Sequence, residues 1–252
     1  MIVEFIGASG AGKSSLARGI IKRHQASGPI QLAWELVLKP PILDRISHPT
    51  ARNLVAEASI FPALVRNRQR YREFARFAAR TLSAGGRSRL ESLNYARSIY
   101  RKLGMHEISR SHSHGATILA DEGTILTAYY LFVYSRSPII ESELERFAEL
   151  VPLPDRVVYV TAPVEYLVSR AMTRRNRRRE LASLSPRESA YWLQRAVEVF
   201  GLLAEIPPIR ERVLVVESAK AFPSGGARLV DTVVDFLNQQ HLSNKADREV
   251  GT

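Results

Sequence analysis

The sequence predicts a three-layer α/β fold around a parallel sheet, and three observations point to it. Five short runs are largely apolar and rich in Val, Ile or Leu, as strands covered on both faces require. Helical patterning follows most of them. At 252 residues the chain also suits one domain with a sizeable insertion and can bury a core without staples.

The first run is "IVEFIG" (2–7), and a glycine-rich turn leads from it into a helix at Lys13 with Leu16, Ile20 and Ile21 on one face. "IQLAWEL" (30–36) reads as the second strand. Residues from about 41 to 115 break the alternation with a helical insertion. Within it, "YREFARFAARTL" puts Tyr71, Phe74, Ala75, Ala78 and Leu82 on one face and Arg72, Arg76 and Arg80 on the other. Like charges four apart oppose one another, so this arginine row is either a solvated face or one that meets an anion. "ATILAD" (116–121), "RVVYVT" (156–161) and "RVLVVE" (212–217) supply the remaining strands. A helix is expected to start at Ser185, where "SPRE" sets Ser at the cap, Pro in the first turn and Glu three on. A last helix from about Ala227 to Leu237 buries Val230, Val233, Val234 and Leu237. One domain is thus expected over 1–242, with 243–252 a disordered tail.

Cysteine is absent, which removes disulfides, thiolate metal sites and cysteine nucleophiles together. No signal-peptide pattern precedes the first strand, and no apolar run approaches the roughly 20 residues of a membrane span. The expectation is a soluble cytoplasmic protein without membrane contact; a homodimer is allowed. The net charge is +11, and residues 41–115 hold 14 Lys/Arg against 5 Asp/Glu, or +9 of it. That concentration suggests an anionic partner for the insertion.

The pattern Gly-x-x-x-x-Gly-Lys-Ser is met by Gly7, Gly12, Lys13 and Ser14 in "GASGAGKSS", between a strand and a helix. In that context Gly7, Ala8, Ser9, Gly10, Ala11 and Gly12 can curl so that amides face a phosphate, with the helix N-terminus behind them. Lys13 would reach the β- and γ-phosphates, Ser14 would ligate Mg²⁺, and Ser15 would add a hydroxyl to the α-phosphate. Two other signals fail. "NKAD" (244–247) copies a guanine-reading motif but follows polar "QQHLS" rather than a buried strand. His106, His112 and His114 precede the third strand, at the end of the sheet opposite to where ligands bind.

With "LADEG" closing the third strand and "LPDRVVYVTAPVEYLVSRAMTRRNRRR" following it, the chain resembles the P-loop kinases, most nearly the thymidylate-kinase-like and nucleoside-kinase-like group. The resemblance implies strand order 2-3-1-4-5, ATP and Mg²⁺, and transfer of the γ-phosphoryl to a nucleoside, nucleotide or sugar. It implies that Asp121 holds Mg²⁺ with Ser14, and that either Glu122 or Glu35 is the base. It also implies a lid over about 170–184 in which Arg174 and Arg178, with Arg170 and Arg177, neutralise the transferring group. Thymidylate kinases follow the third-strand Asp with an Arg that grips the acceptor's phosphate; here Glu122 and Gly123 follow. Arg72, Arg76 and Arg80 are expected to affect acceptor affinity. A second reading stays open: an ATP-gated protein whose basic insertion holds nucleic acid, or a polynucleotide 5′-hydroxyl kinase.

Overall fold

A computed structural model describes residues 1–23, 29–38, 48–113, 115–173, 184–218 and 226–249. Its centre is a five-stranded sheet in the order β2-β3-β1-β4-β5, parallel throughout. The strands are β1 (Ile2–Ile6), β2 (Ile30–Leu32), β3 (Thr117–Ala120), β4 (Arg156–Thr161) and β5 (Val213–Glu217). Every residue of β1 is buried, because this central strand is covered on both faces. Its register sets Glu4 against Ala120 of β3 and Val157 of β4. Order and alternation are those expected.

Helix α1 (Lys13–Arg23) buries Leu16, Ala17 and Ile20. The second strand is shorter than its sequence suggests. The chain leaves the sheet after Leu32 and turns into α2 (Ala33–Leu38), because Ala33, Leu36 and Val37 recur at helical spacing and are all buried. Glu35 therefore lies in the first turn of a helix, not at the end of a strand. It is exposed, and its carboxylate accepts the Leu32 amide at 3.4 Å.

The region before β3 contains α3 (Pro49–Arg66), α4 (Arg68–Ala84) and α5 (Arg89–His112). Helix α4 buries Tyr71, Phe74, Phe77, Ala78 and Leu82, with Phe74 edge-on to Phe147 at 5.8 Å. Phe77 thus belongs to the packed face, and Ala75 is only half-buried, on the side of Arg72 and Arg76. Helix α5 opens with a capping box: the Ser88 hydroxyl accepts the Glu91 amide and the Glu91 carboxylate accepts the Ser88 amide.

After β3 come a 3-10 turn (Ile125–Thr127) and a π-helical turn (Tyr129–Val133), both buried. Helices α6 (Glu141–Leu150), α7 (Val164–Thr173), α8 (Pro186–Glu205), α9 (Pro207–Arg210) and α10 (Gly226–Glu249) complete the layers. Helix α8 starts at Ser185 with the capping box that "SPRE" predicts. Helix α10 packs on α1 with Val233 and Leu237 buried. It runs through the segment expected to be a disordered tail, as far as Glu249, because no Pro or Gly interrupts residues 227–250. No helix among the described residues is long and apolar enough to cross a membrane.

Candidate active site

The turn between β1 and α1 is wedged against two other elements. Gly7 has φ 123°, and a Cβ there would run into the Val160 carbonyl of β4. Gly10 has φ 90°, and a Cβ there would stand 3.2 Å from the Leu167 carbonyl of α7. Positive φ disfavours a side chain at both positions, and at Gly7 the Val160 carbonyl blocks one outright. The Lys13 ammonium, nearly buried, donates to the carbonyls of Gly7 (2.7 Å) and Ala8 (2.9 Å) and so spans the loop.

Above this loop lies a cavity of about 370 Å³ lined by Gly10, Gly12, Lys13, Ser14, Asp121 and Glu122, with Ser9, Ser15, Arg18, Arg170 and Thr173 completing the wall. It sits at the carboxyl ends of β1 and β3, where ligands bind in open α/β sheets. The Ser14 hydroxyl donates to Asp121 Oδ2 at 3.2 Å. Arg18 reaches back to the Ser14 carbonyl through Nε at 3.0 Å, and Arg170 lies over the Tyr166 ring while donating to its hydroxyl at 3.1 Å.

Of the candidate residues, Lys13, Ser14, Asp121 and Glu122 meet around one cavity, and Glu35 does not line it. Arg174, Arg177 and Arg178 fall outside the described residues, as does most of the expected lid; Arg170 is described and lines the cavity. Arg72 and Arg76 border a separate groove that shares no residue with the cavity, and Arg80 stacks over Phe77, so none of the three lines the cavity above the glycine-rich turn.

Two side chains absent from the sequence reading hold the turn that carries Asp121 and Glu122. Lys102 of α5, 1% exposed, donates to the Glu122 carboxylate at 3.0 Å and to its carbonyl at 3.4 Å, and Arg101 adds a 3.6 Å ion pair. Glu4 of β1 is buried beneath the same turn. Its carboxylate accepts the amides of Ile125 (3.2 Å) and Leu126 (2.9 Å) and the Thr124 hydroxyl (3.3 Å). Burial raises the Glu4 carboxyl to about 7, against the pull of those amides and of the Lys102 charge. A Cβ on Gly123 would strike this carboxylate, so any other residue there must displace Glu4 from its amide partners. Both residues had a signal: Lys102 falls on the apolar stripe of Ile99 and Leu103, and Glu4 interrupts an otherwise apolar strand.

A second cavity, about 650 Å³, is lined by Arg87, Asn94, Tyr95, Tyr134, Arg136 and Trp192 among others. Tyr95 stacks on Tyr130 (5.3 Å) and Tyr134 (6.0 Å), and Trp192 meets Tyr134 edge-on at 6.2 Å. Arg87 lies over Tyr95 and donates to the Leu131 carbonyl at 3.1 Å. Tyr129 links the wall of this cavity to the glycine-rich turn: its ring packs against Tyr134 at 5.5 Å and its hydroxyl donates to the Gly7 carbonyl at 3.3 Å.

No family model and no curated protein matches the sequence. The likeness is to solved structures and is one of fold: the chain has the P-loop kinase fold. A deoxyadenosine kinase from M. mycoides with bound dATP aligns with TM-score 0.50 and 15% identity over 94% of this chain and 99% of that one. The same enzyme with products dCMP and a flexible dCDP gives 0.50 and 15% over 95% and 100%. A shikimate kinase from Bacteroides thetaiotaomicron overlaps at 0.48, with 11% identity over 94% and 98%.

Proposed function

We propose that the protein is an ATP- and Mg²⁺-dependent phosphotransferase that phosphorylates a small hydroxylated acceptor. The observation that carries this reading is the convergence of Lys13, Ser14, Asp121 and Glu122 on one cavity at the phosphate-binding turn. Phosphoryl transfer asks mainly for positioning and charge neutralisation, and the cavity offers both. Lys13 would move from the loop carbonyls to the β- and γ-phosphates, a short excursion for a long side chain. Arg18 and Arg170 line the same wall and would offset the remaining charge. The Ser14 and Asp121 oxygens, 3.2 Å apart, are hard donors at close to the roughly 3 Å edge of an octahedral Mg²⁺ shell, so the pair fits that ion. When bound, Mg²⁺ supplies charge stabilisation on the phosphate oxygens.

Glu122 is the better candidate for the acceptor's proton, since it lines the cavity and Glu35 does not. Lys102 and Arg101 hold its carboxylate in one orientation. The aromatic cavity beyond Tyr129 is the place for the acceptor. Its stacked tyrosines and Trp192 suit the flat ring of a nucleoside better than a free sugar. Glu122 stands where thymidylate kinases carry an arginine, which favours a nucleoside over its monophosphate.

The test is ADP release across nucleosides, nucleoside monophosphates and sugars, with Lys13→Ala as control. We expect acceptor-dependent ADP formation that the Lys13 variant loses almost entirely while remaining folded. Robust turnover by that variant, or ADP formation that no acceptor stimulates, would overturn the proposal.

A further inference from the structure

We propose that the outer face of the α3–α5 helices is a docking groove for an acidic amphipathic helix of a partner protein. A groove of about 610 Å³ runs between α4 and α5, away from the phosphate-binding cavity. Its edge is Arg68, Arg72 and Arg76, all exposed and spaced one helical turn apart along α4. Among the described residues none of these three pairs with an acidic side chain; the neighbouring Arg70 instead faces Glu107 at 3.7 Å. Like charges in a row oppose one another, so the row costs the isolated protein stability and is relieved by a negative partner.

The floor decides what kind of partner. Leu64, Ala75, Ala79 and Tyr100 line it, and Tyr100 is 48% exposed. Further exposed apolar side chains lie nearby in the chain: Phe61 (65% exposed) one turn before Leu64 on α3, Val65 directly after it, and Leu93 (67%) two turns before Tyr100 on α5. Large exposed apolar side chains beside a cationic row mark an interaction face. A phosphate backbone would satisfy the arginines but leave this floor against water. A flat anionic membrane would not fill a concave slot. An amphipathic helix meets both, with its apolar face on the floor and acidic residues at every fourth position facing arginines about 6 Å apart along α4.

The probe is a fluorescein-labelled synthetic helix with leucines on one face and glutamates at every fourth position beside it, followed by anisotropy on the full-length protein. Two variants test the two halves of the site: Arg68→Gln with Arg72→Gln and Arg76→Gln, and Tyr100→Ser. Each is expected to weaken binding about tenfold or more, the loss of a central contact, with circular dichroism unchanged. A peptide of the same composition scrambled to destroy the apolar face is expected to bind at least about tenfold more weakly. Equal binding of the scrambled peptide overturns the proposal. So does unchanged affinity in both variants, or tighter binding of oligouridine RNA or of phosphatidylserine vesicles than of the helix. Phosphotransferase activity is expected to be the same in Tyr100→Ser and the parent, so failure of the docking proposal and failure of the kinase reading are read separately.

Discussion

Lys102 and Glu122 form an ion pair at 3.0 Å in which the lysine is 1% exposed and the glutamate side chain 41%. The asymmetry matters. The glutamate can be hydrated when its partner is lost, but the lysine cannot. Removing Glu122 strands a buried ammonium, whereas removing the lysine charge leaves a carboxylate that water can reach.

Glu122→Ala is therefore expected to destabilise the protein by about 1–3 kcal/mol, below the value for a fully buried pair because Glu122 is half in water. Lys102→Met, which keeps the volume and drops the charge, is expected to cost less stability but to lower turnover, since Glu122 keeps only the longer of its two ion pairs, that with Arg101. Combining the two should recover most of the stability lost in Glu122→Ala. Urea unfolding of all three variants checks the ordering, and a double variant no more stable than Glu122→Ala would refute it.

The Ser14–Asp121 hydrogen bond makes a separate prediction about the metal. Asp121→Asn keeps the shape and removes the charge that a hard cation prefers. It should raise the Mg²⁺ concentration needed for half-maximal activity by about tenfold or more, while Ser15→Ala should leave it nearly unchanged. A Mg²⁺ titration of ADP formation separates them. Equal sensitivity of both variants would remove Asp121 from the metal site.

Gly123 is expected to tolerate no side chain. Its Cβ position is filled by the Glu4 carboxylate, which is fixed by the Ile125 and Leu126 amides. Gly123→Ala should therefore destabilise by about 1–3 kcal/mol through overpacking and displace Asp121 and Glu122 together. Thermal unfolding with activity at a temperature below both transitions distinguishes this from a purely local effect. Wild-type stability in the alanine variant would show that the turn can move.

How much of this was legible in the sequence depends on the range of the interaction. The glycine-rich turn and the Ser185 cap rest on local patterns, which "GASGAGKSS" and "SPRE" carry, whereas strand order was reached only through the resemblance to a known family. Glu35 was misplaced because "IQLAWEL" is apolar enough for either a strand or a strand followed by a helix. Periodicity over so short a run does not separate the two. Lys102 and Glu4 act on the Asp121–Thr124 turn across 20 and 120 residues, so no local pattern could place them there. The arginine row on α4 was visible, but the apolar floor beside it is assembled from three helices and exists only in the fold.

Glu4 makes the final prediction, because its carboxyl lies at about 7 in the fold against an ordinary 4.5. Between those values the folded protein holds a proton that the unfolded chain has released. Stability contributed by Glu4 therefore falls as pH rises through this window, by about 3 kcal/mol at most. His106 works the other way. Burial lowers it from 6.5 to about 4, so between those values the unfolded chain binds a proton that the fold excludes, and stability rises with pH. The two slopes oppose one another from 4.5 to 6.5, and the wild-type profile should be shallow there. Glu4→Gln removes only the falling contribution. The variant's stability relative to wild type should increase steadily from pH about 4.5 to about 7 and then level off. Urea unfolding at intervals across that range measures the difference directly. A difference that stays constant with pH would mean that Glu4 has the same proton affinity folded and unfolded, and that its buried hydrogen bonds fully offset its desolvation.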